Sequence, residues 1–216
     1  MMQFYMAPGS CSTGIHILLE ELGLLFGANI LNLPNGDHVT DEFRAINPKC
    51  TIPVLVLEDG EALTDFASIA WWLAMRYPQQ RLLPRNPLDQ VRALEWINYV
   101  TQFIHGQGFT RIFTPEKYVI NDGDEDAIKA RGHELVAQGF GIVEQHLGKI
   151  ENPSYVFDHF CIADAALFYV EFWADHLNMP LPGGCRQHFD LMCRRPVVKR
   201  VLYEEGYRLA TVSDPL

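Results

Sequence analysis

The sequence predicts a small α/β domain over residues 1–80 and an all-helical domain over 87–216, joined by a linker at 81–86. Three observations predict it. Short apolar runs alternate with segments of helical period up to residue 80. No strand pattern follows residue 85. Asn86-Pro87 marks the start of a new helix, with a capping side chain and proline at the first helical position.

Each element has a local reason. Residues 2–6 are apolar and aromatic and read as a buried strand. Ala7-Pro8-Gly9-Ser10 is a turn. Ile15, Leu18, Leu19 and Leu22 then fall on one helical face, and Gly23 suits the end of that helix. Residues 28–33 read as a second strand. Asp41 to Ala45 reads as a short helix stopped by Asn47-Pro48. Val54–Leu57 and Ala62–Thr64 flank Asp59-Gly60, a tight-turn pair, and predict a hairpin. A helix follows over Asp65–Tyr77, with Ile69, Trp72, Leu73 and Arg76 on one side. The order is β-α-β-α-β-β-α. In the second domain, helices are predicted from Pro87 to about Phe109, from Asp124 to Leu147 and from Ile162 to His176, with two shorter ones flanking Arg195-Pro196.

Composition excludes several functions. The chain has 216 residues, 48% of them hydrophobic and 20% charged, which suits a packed globular protein. Its net charge of −10 repels phosphate backbones, and no Lys/Arg run offsets it, so nucleic acid is not an expected partner. No apolar stretch approaches the roughly 18 residues that read as a membrane span. The N-terminus lacks a basic, long-apolar leader pattern, which places the chain by default in the cytoplasm. Cys11, Cys50, Cys161, Cys185 and Cys193 are odd in number and irregular in spacing, as expected of thiols in a reducing compartment. They form no zinc-like comb, and no metal site is expected.

Three segments carry chemistry. Pro8-Gly9-Ser10-Cys11-Ser12-Thr13 places a thiol at a helix start, where backbone N–H groups favour a thiolate; an inert, apolar Cys11 is the competing reading. Ile52-Pro53 enters an apolar strand. A cis bond there would offer the Ile52 backbone to an extended ligand, while a trans turn would not. Asp65 begins a helix, either as a ligand for an ammonium group or as a simple cap.

In this order, the segments resemble the cytosolic glutathione S-transferases, most nearly the bacterial beta class. The residues that carry the resemblance in the first domain are Tyr5-x-x-Pro8-Gly9-Ser10-Cys11-Ser12, Ile46-Asn47-Pro48-Lys49-x-x-Ile52-Pro53-Val54-Leu55 and Asp59-Gly60-x-x-Leu63-Thr64. In the second they are Trp96-Ile97-Asn98-Tyr99, Ile104-His105-Gly106, Ile162-Ala163-Asp164-Ala165 and Arg195-Pro196. The resemblance implies a thioredoxin-like first domain, glutathione as co-substrate, a homodimer, and conjugation of the glutathione thiolate to a small hydrophobic electrophile.

It also implies roles. Cys11 contacts the glutathione sulfur, with Ser12 and His105 as further donors. Ile52 before Pro53 pairs with the cysteinyl backbone. Asp65 and Phe66 hold the γ-glutamyl end, and Asn98 lies near the sulfur. The electrophile is expected in a cleft between the domains, near Phe103, Ile104, Phe109, Ile112 and Phe113. Thiol–disulfide exchange through Cys11 is an alternative activity, and a non-catalytic binding protein on the same fold is another.

The chain departs from the family at Phe66, where a small residue is usual. It also lacks a cation in Pro34-Asn35-Gly36-Asp37 and carries Gly106 after the histidine. These departures imply a weaker hold on anionic glutathione. Cys161 stands where a better helix cap is usual.

Overall fold

The computed structural model describes residues 1–148 and 155–208. By their internal contacts these form two units, Met1–Leu83 together with residues from Asp190 onward, and Pro84–Phe189.

The first unit contains a four-stranded sheet in the order β2-β1-β3-β4. The strands are β1 (Met2–Met6), β2 (Phe26–Ile30), β3 (Val54–Val56) and β4 (Ala62–Thr64). β1 runs parallel to β2 and antiparallel to β3, and β3 and β4 form the hairpin turned at Asp59-Gly60. Strand β2 lies two residues earlier than its apolar pattern suggested. Asp37 takes the Asn32 N–H at 2.8 Å, and the Gly36 N–H reaches the Leu33 carbonyl, so residues 32–37 turn instead of extending.

The helices of this unit are α1 (Ser12–Glu21), α2 (Asp41–Ile46) and α3 (Phe66–Arg76). Ile15, Ile17, Leu18 and Leu19 of α1 are wholly buried, as are Ile69 and Leu73 of α3. Arg76, expected on the same side as Ile69, is exposed; the buried face continues instead through Ala70 and Ala74. Gly23 has φ +62° just after α1, the left-handed conformation that a helix stop needs.

The chain returns to this unit late. Helix α9 (Pro196–Glu204) packs against α1. Arg195 Nε donates to Glu21 at 3.0 Å, and Arg200 pairs with Glu20. Sequence periodicity grouped this segment with the helical domain. Its contacts place it with the sheet unit, because its apolar face (Val198, Val201, Leu202) and its arginines complement α1.

The second unit is helical. Its elements are α4 (Pro87–Tyr99), α5 (Thr110–Phe113), α6 (Glu125–Leu147) and α7 (Ile162–His176), followed by the first part of α8 (Gly183–Arg194). Asn86 caps α4 by accepting the Leu88 N–H at 2.9 Å. The predicted helix end at Phe109 is a change of winding. From Val100 to Phe109 the helix widens to π geometry, with the Thr110 N–H reaching back five residues to the His105 carbonyl, and then continues as α5.

Glycines on both sides let α6 and the π-wound stretch come close. A Cβ at Gly139 of α6 would lie 2.6 Å from Ile104 Cγ1, and one at Gly108 of the π stretch would lie 2.6 Å from Val136 Cγ2. The periodic positions Ala163, Leu167, Val170 and Ala174 suggest one buried stripe on α7, but every residue from Ile162 to Ala174 is buried, the behaviour of a helix at the centre of a core.

Inside this unit lies a fully buried polar group. His188 Nδ1 is 2.7 Å from Glu171 Oε2, and its Nε2 is 3.1 Å from Asp164 Oδ1. Burial alone would depress the imidazolium, but the two carboxylates outweigh it and carry His188 up to about 10. Burial also raises Glu171, against the pull of His188.

Two predictions follow from this packing. The folded-state pKa of His188 lies above its ordinary value of 6.5, so its stabilisation is complete below about pH 6.5 and is lost as pH rises toward about 10. Denaturant unfolding at pH 6 and pH 10 should show the decline. His188→Leu should abolish it and cost about 3–5 kcal/mol at pH 6, by leaving two buried carboxylates unpaired. A glycine pair on α6 tests the close approach. Gly139→Ala meets Ile104 and should cost about 1–3 kcal/mol, whereas Gly141→Ala, with open space at its Cβ, should stabilise by about 0.4–1 kcal/mol in thermal melts.

Candidate functional site

The site begins at the turn between β1 and α1. Gly9 adopts φ +72°, and a Cβ there would lie 2.0 Å from the Tyr207 hydroxyl oxygen, so glycine is required on both counts. Ser12 is wholly buried. Its Oγ donates to the Ala7 carbonyl at 3.0 Å and accepts the Ala7 N–H at 3.1 Å. A hydroxyl has one proton, so in the 2.6 Å contact between Ser10 Oγ and Ser12 Oγ it is Ser10 that donates. Neither serine has a proton left for a ligand. Ser12, read as a donor to a bound sulfur, instead ties the turn together.

Cys11 emerges from this turn. Its Sγ–H points to the Ile52 carbonyl at 3.6 Å. Two motifs distant in the sequence therefore meet at one sulfur. The Ile52–Pro53 bond is cis. The approach to it is shaped by buried Asn47, whose amide donates to the Thr51 carbonyl at 2.8 Å and whose Oδ1 accepts the Lys49 N–H at 3.1 Å.

Burial works against the expected thiolate. Burial pushes the Cys11 thiol up to about 12, and the Asp65 charge adds to this. The Cys11 and Ser12 N–H groups do favour the anion, as a helix start should, but desolvation outweighs them. Cys11 is a protonated thiol at neutral pH.

Asp65 has φ +74° immediately before α3 and makes no side-chain cap. Its Oδ2 instead accepts from Lys49 Nζ at 2.8 Å. Lys49 is thus a cation beside this acid that sequence reasoning passed over, although Pro48-Lys49 belonged to a quoted motif. The bulk of Phe66 is absorbed by the fold, for its ring is only 4% exposed.

The turn is held from behind by a residue with no sequence signal. Glu205, just past α9, is buried. Its Oε2 accepts the Gly9 N–H at 2.8 Å and the Thr13 hydroxyl at 2.7 Å, and its Oε1 lies 2.9 Å from His16 Nδ1. Tyr207 sits alongside, with its hydroxyl 3.5 Å from the Pro8 carbonyl.

Asn98 and His105 belong to the second unit. Among the described residues, the Asn98 side chain makes no hydrogen bond. His105 lies in the π-wound stretch. Its Nδ1 is 3.3 Å from the Tyr169 hydroxyl, and its ring meets Trp173 edge-on at 4.9 Å. Burial pulls its imidazole down to about 4, so it is neutral at pH 7. Of the residues expected to line an electrophile site, Ile104 and Phe109 are wholly buried core, and Phe103 stacks on Tyr99 at 5.3 Å. Phe113 is 47% exposed and lies edge-on to Trp173 at 5.2 Å.

Comparison with known proteins bears on the family of the whole chain. Residues 9–76 match the glutathione S-transferase N-terminal domain. Glutathione S-transferase GstA of Escherichia coli O157:H7 is 32% identical over 96% of this chain and 100% of its own. A beta class glutathione S-transferase of Sphingomonas chungbukensis superposes with a TM-score of 0.79 at 26% identity, covering 94% of this chain and 98% of its own. A sphingomonad glutathione S-transferase complexed with glutathione gives 0.80 at 25% identity, over 95% and 100%. No helix among the described residues is long and apolar enough to cross a membrane. The sheet unit with its cysteine turn and cis-proline, the helical unit, and a full-length relative at this identity together establish that the chain belongs to the glutathione S-transferase family.

Proposed function

We propose that the protein is a glutathione transferase in which Cys11 acts as a thiol donor to the bound glutathione thiolate and not as a nucleophile. One observation carries the reading: a buried, protonated Cys11 thiol aimed at the carbonyl of cis-bonded Ile52. A neutral S–H beside a second sulfur stabilises that sulfur as the anion, which is the nucleophilic form.

Glutathione supplies its own thiol. The Ile52 backbone pairs with its cysteinyl part. Asp65 takes its ammonium, and Lys49 with the start of α3 takes the γ-glutamyl carboxylate. Lys49 restores part of the cationic character missing after β2. Within the helical unit, His105 offers a neutral ring and Asn98 an uncommitted amide as candidate polar groups. A small hydrophobic electrophile suits the exposed ring of Phe113, which is backed by buried Trp173. Homodimerisation and a cytoplasmic location accord with the family and with five free cysteines.

Disulfide exchange is the weaker reading, because it needs Cys11 as an attacking thiolate.

Conjugation of glutathione to an aryl halide, followed at 25 °C, tests the proposal. Cys11→Ala should lose about ten- to a hundredfold in kcat/KM, the worth of one hydrogen bond to a charged group. An unchanged rate would remove Cys11 from the reaction. Calorimetry showing no glutathione binding at millimolar concentration would overturn the enzyme reading altogether.

Two further outcomes separate the roles at the turn. At pH 7.5, iodoacetamide should alkylate Cys11, followed by peptide mass, at least about tenfold more slowly than free cysteine, which ionises near pH 8.5. Fast alkylation would favour disulfide exchange. Ser12→Ala should cost about 1–3 kcal/mol of stability by orphaning the Ala7 amide groups, while kcat at a temperature where the variant is folded stays near the parent value.

A further inference from the structure

The seam between α1 and α9 in the sheet unit carries an arrangement that the transferase reading does not use. His16 and Glu20 are four residues apart, so they share one face of α1. Glu204, at the end of α9, faces them. One ligand atom from each residue can be chosen so that all three lie within 4.8 Å of one another.

The histidine is oriented for coordination. Nδ1 lies 2.9 Å from the buried Glu205 carboxylate, an acceptor for an Nδ1–H, so that a neutral ring presents its lone pair at Nε2. A carboxylate behind the ring and an open nitrogen in front is the usual support of a metal-bound histidine. Nε2 points toward Glu204 Oε2 at 3.5 Å. Two ligands each roughly 2.0–2.2 Å from a tetrahedral ion stand about 3.4 Å apart, so this pair is already at coordinating separation. Local charge agrees. Glu20, Glu21, Glu204 and Glu205 gather here against Arg195 and Arg200.

We propose that His16, Glu20 and Glu204 form a binding site for a divalent transition-metal cation, with Glu205 as the supporting carboxylate. One imidazole and two carboxylates suit zinc, cobalt or manganese more than a soft monovalent ion. Water completes the coordination. Arg200, which pairs with Glu20, is the competitor that the cation displaces. Glu205 also holds Gly9 and Thr13, so a bound cation would clamp the cysteine turn from behind without touching the thiol.

The test uses full-length protein freed of metal with a chelator, without glutathione, and titrated with Co²⁺. Calorimetry and visible absorption read stoichiometry and ligand type. The expected result is one Co²⁺ per chain, no near-ultraviolet thiolate band, and a rise in melting temperature. Glu20→Gln with Glu204→Gln, partly exposed isosteres, should weaken binding at least about tenfold and cancel the thermal shift. Arg200→Gln should tighten it by releasing Glu20. The proposal is overturned by absence of binding at millimolar Co²⁺, by a cysteine–cobalt charge-transfer band, or by affinity indifferent to the Glu20/Glu204 pair.

Discussion

The Glu205 carboxylate fixes the geometry of the cysteine turn. A buried carboxylate is costly unless it is hydrogen-bonded on both oxygens. Glu205 meets that condition through the Gly9 N–H, the Thr13 hydroxyl and the His16 ring. Hydrogen bonds to a charged group contribute about 1.5–3 kcal/mol each, comparable to a sizeable fraction of a domain's stability. The turn it grips connects the central strand of the sheet to the first helix. Its second anchor is internal, through Ser12 and Ala7. With both in place, the turn presents the Cys11 sulfur to the Ile52 carbonyl at 3.6 Å.

That rigidity decides the chemistry of Cys11. A helix start lowers a thiol pKa when the sulfur stays hydrated, because the dipole then acts without a desolvation cost. Here the sulfur is packed against the cis-proline loop. The backbone N–H groups still favour the anion, but the loss of water outweighs them. A site of this kind is poor at making its own thiolate and well suited to sharing a proton with another sulfur. The same constraint explains Phe66. A phenyl ring at the start of α3 is tolerated because it enters the core, leaving the helix start and the Lys49–Asp65 pair at the surface.

Much of the fold was legible because its signals are local. Asp59-Gly60 encodes its hairpin and Asn86-Pro87 its helix start; the β-α-β-α-β-β-α order rests on such features. The meeting of Cys11 with Ile52 was legible only through family resemblance, since neither residue signals the other. The hydrogen bonds of Ser12 were not legible in the sequence. A serine beside a reactive cysteine looks like a donor until the proton count at Ala7 and Ser10 is done, and that count needs coordinates. Glu205 was invisible for a different reason. Its partners lie near the opposite end of the chain, and Glu204-Glu205 in a helix end reads as solvated charge. The π winding at His105 has no periodic signature in the sequence, whose apolar spacing there reads as an ordinary helix.

The second unit solves the same physical problem as the first. The backbone just before a buried helix needs partners for its N–H groups, and a buried carboxylate accepts from Gly9 ahead of α1 and from Val156 and Cys161 ahead of α7. At α7, Cys161 was expected to cap poorly, at a cost of about 1 kcal/mol. Asp164 removes most of that cost: it accepts the Cys161 N–H and the Val156 N–H, both at 2.7 Å. Its own charge is then balanced by His188, which Glu171 holds from the other side. Cysteine is therefore acceptable at position 161, because Asp164 takes the Cys161 N–H while the Cys161 side chain faces the Asp164 N–H to complete a capping box. In both units the quality of the local capping residue matters less than the buried carboxylate behind it. Substitutions at Glu205 and Asp164 should thus propagate further than substitutions at the caps they support, since each carboxylate holds several backbone and side-chain groups and each cap holds one.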